Sequence, residues 1–135
     1  MRWLVLLLLL PGAAWAQDVR TYDRTGALIG SQHTAPNGDT RFYDRTGRPV
    51  GSARHQGDET RFLDATGAPT GSARQDGDVT RSYDRTGAPT GTEQRDALGS
   101  RTYDRTGRQV GSERRDPAGS TRFYDGSGRL EGSAR

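Results

Sequence analysis

The sequence predicts an all-β fold, about six β-hairpin repeats of roughly twenty residues closed into a ring, with an open β-solenoid as the alternative. Three observations carry this. A Tyr-Asp pair recurs at 22–23, 43–44, 83–84, 103–104 and 124–125, and Leu63-Asp64 fills the gap, at intervals of 21, 20, 20, 20 and 21 residues. Each pair is followed by a turn signal and a second short run of strand-forming residues, with no helical pattern beyond residue 16. The repeat region opens on a first strand, Val19 to Tyr22, and ends on a second strand, Arg129 to Arg135, so its two ends can pair and remove the exposed edges.

The first element is an address rather than a structure. Met1–Ala16 reads MRWLVLLLLLPGAAWA: a charged Arg2, an apolar run from Leu4 to Leu10, a break at Pro11-Gly12, and the small-x-small site Ala14-Trp15-Ala16. The run is far short of the ~20 residues a spanning helix needs. The pattern predicts a cleaved export signal over 1–16 and a single repeat domain over 17–135, with no membrane span after cleavage, placed in the periplasm or outside the cell.

The repeat unit reads R-x-Y-D-x-x-G-x-x-x-G-S. In Thr40-Arg41-Phe42-Tyr43, β-formers alternate with period two, which puts Arg41 and Tyr43 on one face and Phe42 and Asp44 on the other. Asp44-Arg45-Thr46-Gly47 is a turn: the Asp side chain can accept nearby backbone N–H groups, and Gly tolerates positive φ. The structural turn positions are therefore Asp23, Asp44, Asp64, Asp84, Asp104 and Asp125 with Gly26, Gly47, Gly67, Gly87, Gly107 and Gly128. Arg48 to Arg54 reads as the returning strand. Pro49, Pro69 and Pro89 share one position in it, which requires an edge or a bulge because proline donates no ladder hydrogen bond. The second Gly of each unit, such as Gly51, suggests a close backbone approach. Looser turn clusters, such as Gln56-Gly57-Asp58, join one unit to the next. An isolated hairpin is marginal, so the ring is expected to bury the Tyr, Phe and Val positions against neighbouring units.

Composition limits the chemistry. From Gln17 onward, Leu, Ile, Val and Phe number only 12, too few for a large two-layer enzyme core and close to the range of disordered chains. An Arg/Gly-rich segment that folds only on a partner is accordingly the alternative function class. All 20 basic residues are Arg, set against 17 acids, and with Arg2 set aside the net charge falls from +3 to +2, a weak field for a nucleic acid. The chain has no Cys, hence no disulfide framework or thiolate site, and both Trp residues lie before Gln17.

The stretches YDRTGRPVGS (43–52), LDATGAPTGS (63–72) and YDRTGRQVGS (103–112) resemble the D-x-x-G-x-x-x-G units of the secreted bacterial 5-fold beta-flower proteins. The likeness covers residues 18–135 and departs from the family in its count, six copies of the core motif. It implies a small flower-like β-ring and brings no settled activity. The units also resemble, less closely, the tyrosine–aspartate repeats of large bacterial shell and toxin proteins, which occur in much longer chains. The choline-binding wall repeat shares the D-x-x-G turn. Its ammonium cage needs aromatic boxes, whereas here Arg stands two before each Tyr, so choline is rejected.

Candidate sites follow from the repetition. Arg41, Tyr43, Arg61, Arg81, Tyr83, Arg101, Tyr103, Arg122 and Tyr124 form a candidate repeated binding face able to grip acidic glycans or stack sugars. The competing reading is structural: Arg stems cover Tyr rings and pair with the Asp of the next unit. The turn Asp residues are single and mostly followed by Arg, so they read as caps rather than calcium ligands, and Asp39, Asp58 and Asp78 in the linkers suit calcium only slightly better. His33 and His55 occupy non-equivalent polar positions and suggest neither a serine hydrolase nor a metal site. Nothing in the sequence singles out two of Glu59, Glu93, Glu113 and Glu131 as a catalytic pair. No catalytic residue, cofactor or metal is expected. The expected function is that of an exported structural or binding repeat protein whose partner is an envelope glycan or another envelope protein, with no nucleic acid; a small envelope hydrolase is the disfavoured alternative.

Overall fold

The computed structural model describes residues 17–135, so the export-signal reading of Met1–Ala16 lies outside the described residues. The described chain holds twelve β-strands and no helix. They are β1 (Gln17–Asp23), β2 (Leu28–Thr34), β3 (Thr40–Asp44), β4 (Pro49–Gln56), β5 (Glu59–Asp64), β6 (Pro69–Asp76), β7 (Val79–Asp84), β8 (Pro89–Arg95), β9 (Gly99–Asp104), β10 (Gln109–Arg115), β11 (Thr121–Asp125) and β12 (Leu130–Ala134). Each pairs antiparallel with its neighbours in chain order, and β1 pairs with β12, so the sheet closes into a barrel. The closed ring prevails over the open solenoid because the two ends of the repeat region carry complementary halves of a hairpin: Thr21 faces Ala134, Tyr22 faces Ser133 and Asp23 faces Gly132. Among the described residues no helix is long and apolar enough to cross a membrane.

The tight turns are built by the repeated aspartates. Asp44 Oδ1 accepts from the Thr46 backbone N–H at 2.8 Å, the Thr46 hydroxyl at 2.6 Å and the Arg48 N–H at 3.0 Å. The Gly47 N–H donates to the Asp44 carbonyl at 3.0 Å, and the Asp44 N–H donates to the Arg48 carbonyl at 2.9 Å. Gly47 has φ 82°, a conformation costly for a residue with a Cβ. The same arrangement recurs at Asp23, Asp64, Asp84, Asp104 and Asp125, with Ser127 in the Thr role at the last.

Past each turn the ladder slips by one residue. Phe42 faces Gly51 while Tyr43 faces Pro49, so Val50 is the extra residue of a β-bulge. That is where the recurring prolines sit, at Pro49, Pro69 and Pro89. The second glycine of the unit lies against the next strand: a Cβ added to Gly51 would stand 2.7 Å from the Leu63 carbonyl oxygen.

Alternation then sorts the side chains. Val19, Thr40, Ala53, Thr60, Ala73, Ser100, Thr121 and Ala134 are buried on the inner face, and half-buried Phe42, Phe62 and Phe123 share it. The expected burial of the Val and Tyr positions holds at Val19 and is corrected at Val50, Val110 and the tyrosines. Val50 and Val110 are bulge residues, 48% and 44% exposed, because the slip takes them out of the inward alternation. The tyrosines are half-buried on the outer face. With so few large apolar groups inside, the closed hydrogen-bond ladder carries much of the burden of cohesion.

Candidate functional site

The outer face holds the arginine–tyrosine pattern. Arg41, Arg61, Arg81, Arg101 and Arg122 are exposed, and Tyr43, Tyr83, Tyr103 and Tyr124, two residues on, are half-buried. Strand alternation puts each Arg and its Tyr on the same side of the sheet. Among the described residues no ion pair joins these arginines to the Asp of the next unit, and the Oδ1 atoms of those aspartates accept hydrogen bonds within their own turns. The Thr or Ser hydroxyl, followed by backbone N–H groups, holds each of these carboxyls below the usual carboxylate range. Arg61 takes its acidic partner from its own strand, donating from Nε to Glu59 Oε1 at 3.0 Å.

A second arginine, three residues after the second glycine in four of the six units, adds to this face. Sequence reasoning passed over it because it follows a Gly-Ser pair and marks no turn. The register puts Arg54 directly opposite Arg61, Arg74 opposite Arg81, and Arg114 opposite Arg122. Like charges facing each other across a ladder repel. A depression of about 260 Å³ beside Arg101, lined by Asp78, Val79, Gln94, Arg95 and Asp96, is smaller than the ~300–1,000 Å³ of ordinary ligand pockets.

The inner face contains a pair that the sequence did not separate from the other glutamates. Glu93 on β8 faces Thr102 on β9, and Glu113 on β10 faces Ser100 on the same strand. Burial, then the nearby Glu93 charge, pushes the Glu113 carboxyl up to about 7, against the opposing pull of Arg95 and Arg115. Arg95 Nη2 stands 3.9 Å from Glu93 Oε1. The hydroxyls of Ser100 and Thr102, between the two glutamates, are buried without a hydrogen-bond partner among the described residues. The signal was present in the repeat alignment, since Glu93 and Glu113 occupy the inward position held elsewhere by Gln32, Ala53, Ala73 and Ala134. Chemically, this cluster can take up or release one proton near neutrality.

The histidines do not converge. His33, on the outer face, has Nδ1 2.5 Å from Asp18 Oδ1, while His55 Nδ1 lies 2.8 Å from the Thr60 hydroxyl on the inner face. Asp39 accepts from Asn37 within its own loop. Among the described residues no cluster of three or more His, Cys, Asp or Glu side chains could hold a metal ion.

No family model and no curated protein matches the chain. Among solved structures, a protein from Arabidopsis thaliana is similar with a TM-score of 0.61 at 14% identity, over 90% of this chain and 80% of that one. At that identity the likeness is one of fold. An alternansucrase in complex with isomaltononaose aligns over 88% of this chain and 12% of its own length at 17% identity, with a TM-score of 0.22 that carries no argument.

Proposed function

We propose that this chain is an exported, non-catalytic binding protein of the cell envelope or the extracellular space, and that its outer face grips an anionic envelope glycan. One observation carries the reading: exposed Arg41, Arg61, Arg81, Arg101 and Arg122 stand at equivalent places round the barrel, and among the described residues only Arg61 of the five has an ion-pair partner, Glu59. A guanidinium fork matches a carboxylate or phosphate on an acidic sugar, and a half-buried Tyr beside it offers aromatic surface for the sugar's apolar side. A repeated face suits multivalent weak contact, whereas catalysis needs unlike groups converging once. Export is supported by the signal-like Met1–Ala16, and the resemblance of the repeats to the beta-flower proteins supports a place among small exported β-rings.

The test is calorimetric titration of the purified protein with polygalacturonate, a linear carboxylated polysaccharide. Saturable binding is expected, weakening as salt rises. The triple variant Arg41→Gln/Arg81→Gln/Arg122→Gln is expected to bind about tenfold more weakly or worse. Absence of binding at low salt, or a triple variant that binds like the parent, overturns the reading.

A further inference from the structure

We propose that the arginines form one continuous band round the barrel, and that its ligand is a flexible linear anionic polysaccharide wound along that band rather than a single acidic sugar seated on one repeat. The proposal rests on the glycan-binding reading and says where and how the polymer lies.

The band comes from two rows that the sequence keeps apart and the register joins. One row stands two residues before the Tyr of each unit. The other stands three residues after the second glycine and supplies Arg54, Arg74, Arg114 and Arg135. Where one repeat meets the next, the rows meet face to face: Arg54 with Arg61, Arg74 with Arg81, and Arg114 with Arg122. Barrel closure adds a fourth pair, because Arg20 and Arg135 exchange backbone hydrogen bonds at 2.8 and 3.0 Å. At the two remaining junctions one partner changes but stays polar, with Gln94 opposite Arg101 and His33 opposite Arg41.

Within each repeat the first-row arginine faces a small hydroxyl residue. Arg41 faces Ser52, Arg61 faces Ser72, and Arg81 faces Thr92. The Gly-Ser pairs thus acquire a place in the surface: short hydroxyl side chains leave a polar gap between one basic pair and the next. Strands lie about 4.8 Å apart, so successive pairs recur about every 10 Å round the wall.

Physical chemistry selects the ligand's shape. Opposed arginines cost the fold energy that an anion lying between them would recover. Among the described residues the band's ion pairs are Arg61–Glu59 and His33–Asp18, and Glu59 also lies opposite Arg74 in the register; Arg41, Arg54, Arg81, Arg101, Arg114 and Arg122 have no acidic ion-pair partner. A lone anion could relieve one pair. A flat anionic membrane could touch only one arc of a cylinder. A flexible chain can meet one pair after another, each contact raising the effective concentration for the next.

The experiment is a length series of oligogalacturonates titrated into the purified protein and into the variant Arg54→Gln/Arg74→Gln/Arg114→Gln. For the parent, affinity is expected to rise steeply with length. The variant is expected to lose about tenfold or more on long chains and less than about twofold on the dimer, because only multivalency is removed. It is also expected to melt at or above the parent's temperature, since like charges have been separated; this excludes unfolding as the cause. Long-chain affinity unchanged in the variant, or affinity that does not grow with length, overturns the band while leaving single-face glycan binding standing. Tighter binding to phosphatidylglycerol vesicles than to the soluble polymer overturns the wound-polymer geometry. No binding of any oligogalacturonate removes the glycan reading and the band together.

Discussion

Arg20 and Arg135 exchange both backbone hydrogen bonds, at 2.8 and 3.0 Å, and this reciprocal pair joins the first described strand to the last. Each strand then has two neighbours, so no row of unpaired N–H and C=O groups is left to recruit another chain. Closure also brings Arg20 opposite Arg135 on the outer face, the fourth arginine pair of the ring.

Removing the closing strand should therefore do more than loosen a terminus. A chain ending at Gly128 loses β12 and exposes the edges of β1 and β11 together. We expect a lower and broader thermal transition and a shift toward dimers or larger species in size-exclusion chromatography. A truncated chain that stays monomeric and melts like the parent would show that closure contributes little.

The two kinds of repeated glycine should fail for different reasons. Gly67 has φ 86° and open space around its Cα, so Gly67→Val is expected to cost about 1–2 kcal/mol through backbone strain alone, while Ala68→Val at the exposed next position stays near neutral. Gly51→Ala should be harmful through contact, because the new Cβ would stand 2.7 Å from the Leu63 carbonyl oxygen and push β4 from β5. Denaturant melts of the three variants measure the order. Equal stabilities for Gly67→Val and Ala68→Val would contradict the turn geometry.

How far the sequence reached follows from the same residues. Turns and bulges were legible because their causes are local: Asp44 reaches Thr46 and Arg48 two and four residues on, and Pro49 has no N–H wherever it sits. Closure was legible because the two ends carry opposite halves of the motif. The inner face was not. A strand's alternation gives two faces without saying which points inward, and the bulge at Val50 carries a residue that looks like core to the surface. The facing of Arg54 and Arg61, or the placing of Glu93 and Glu113 on either side of β9, depends on cross-strand register, which no single repeat displays.

Stability should be bounded in pH from both sides. The six turn aspartates have folded-state values below their usual 3.8, so their stabilising contribution is full above that value and is lost as pH falls through the lowered ones. Glu113 works in the opposite direction. Its folded value of about 7 lies above the usual 4.5, so stability is greatest below 4.5 and declines as pH rises toward 7. The melting temperature should thus peak between about pH 4 and pH 5. Glu113→Gln is expected to flatten the decline on the alkaline side, gaining about 1–2 kcal/mol at pH 8 without altering the acid limb. A parent curve flat from pH 5 to 8 would contradict the placing of Glu113.

The central claim is a barrel closed between the first and last described strands, since the continuous surface band depends on it. The chain has no Cys, so a designed pair reports cleanly. Thr21 and Ala134 face each other next to the Arg20–Arg135 hydrogen-bonded pair, which makes them a close, non-hydrogen-bonded pair with Cα atoms about 4.5 Å apart, within disulfide reach. The measurement is thiol titration and mass spectrometry of Thr21→Cys/Ala134→Cys after mild oxidation of the folded protein. The account predicts near-complete intramolecular disulfide formation and a raised melting temperature. Free thiols, or disulfides formed only between molecules, would contradict it.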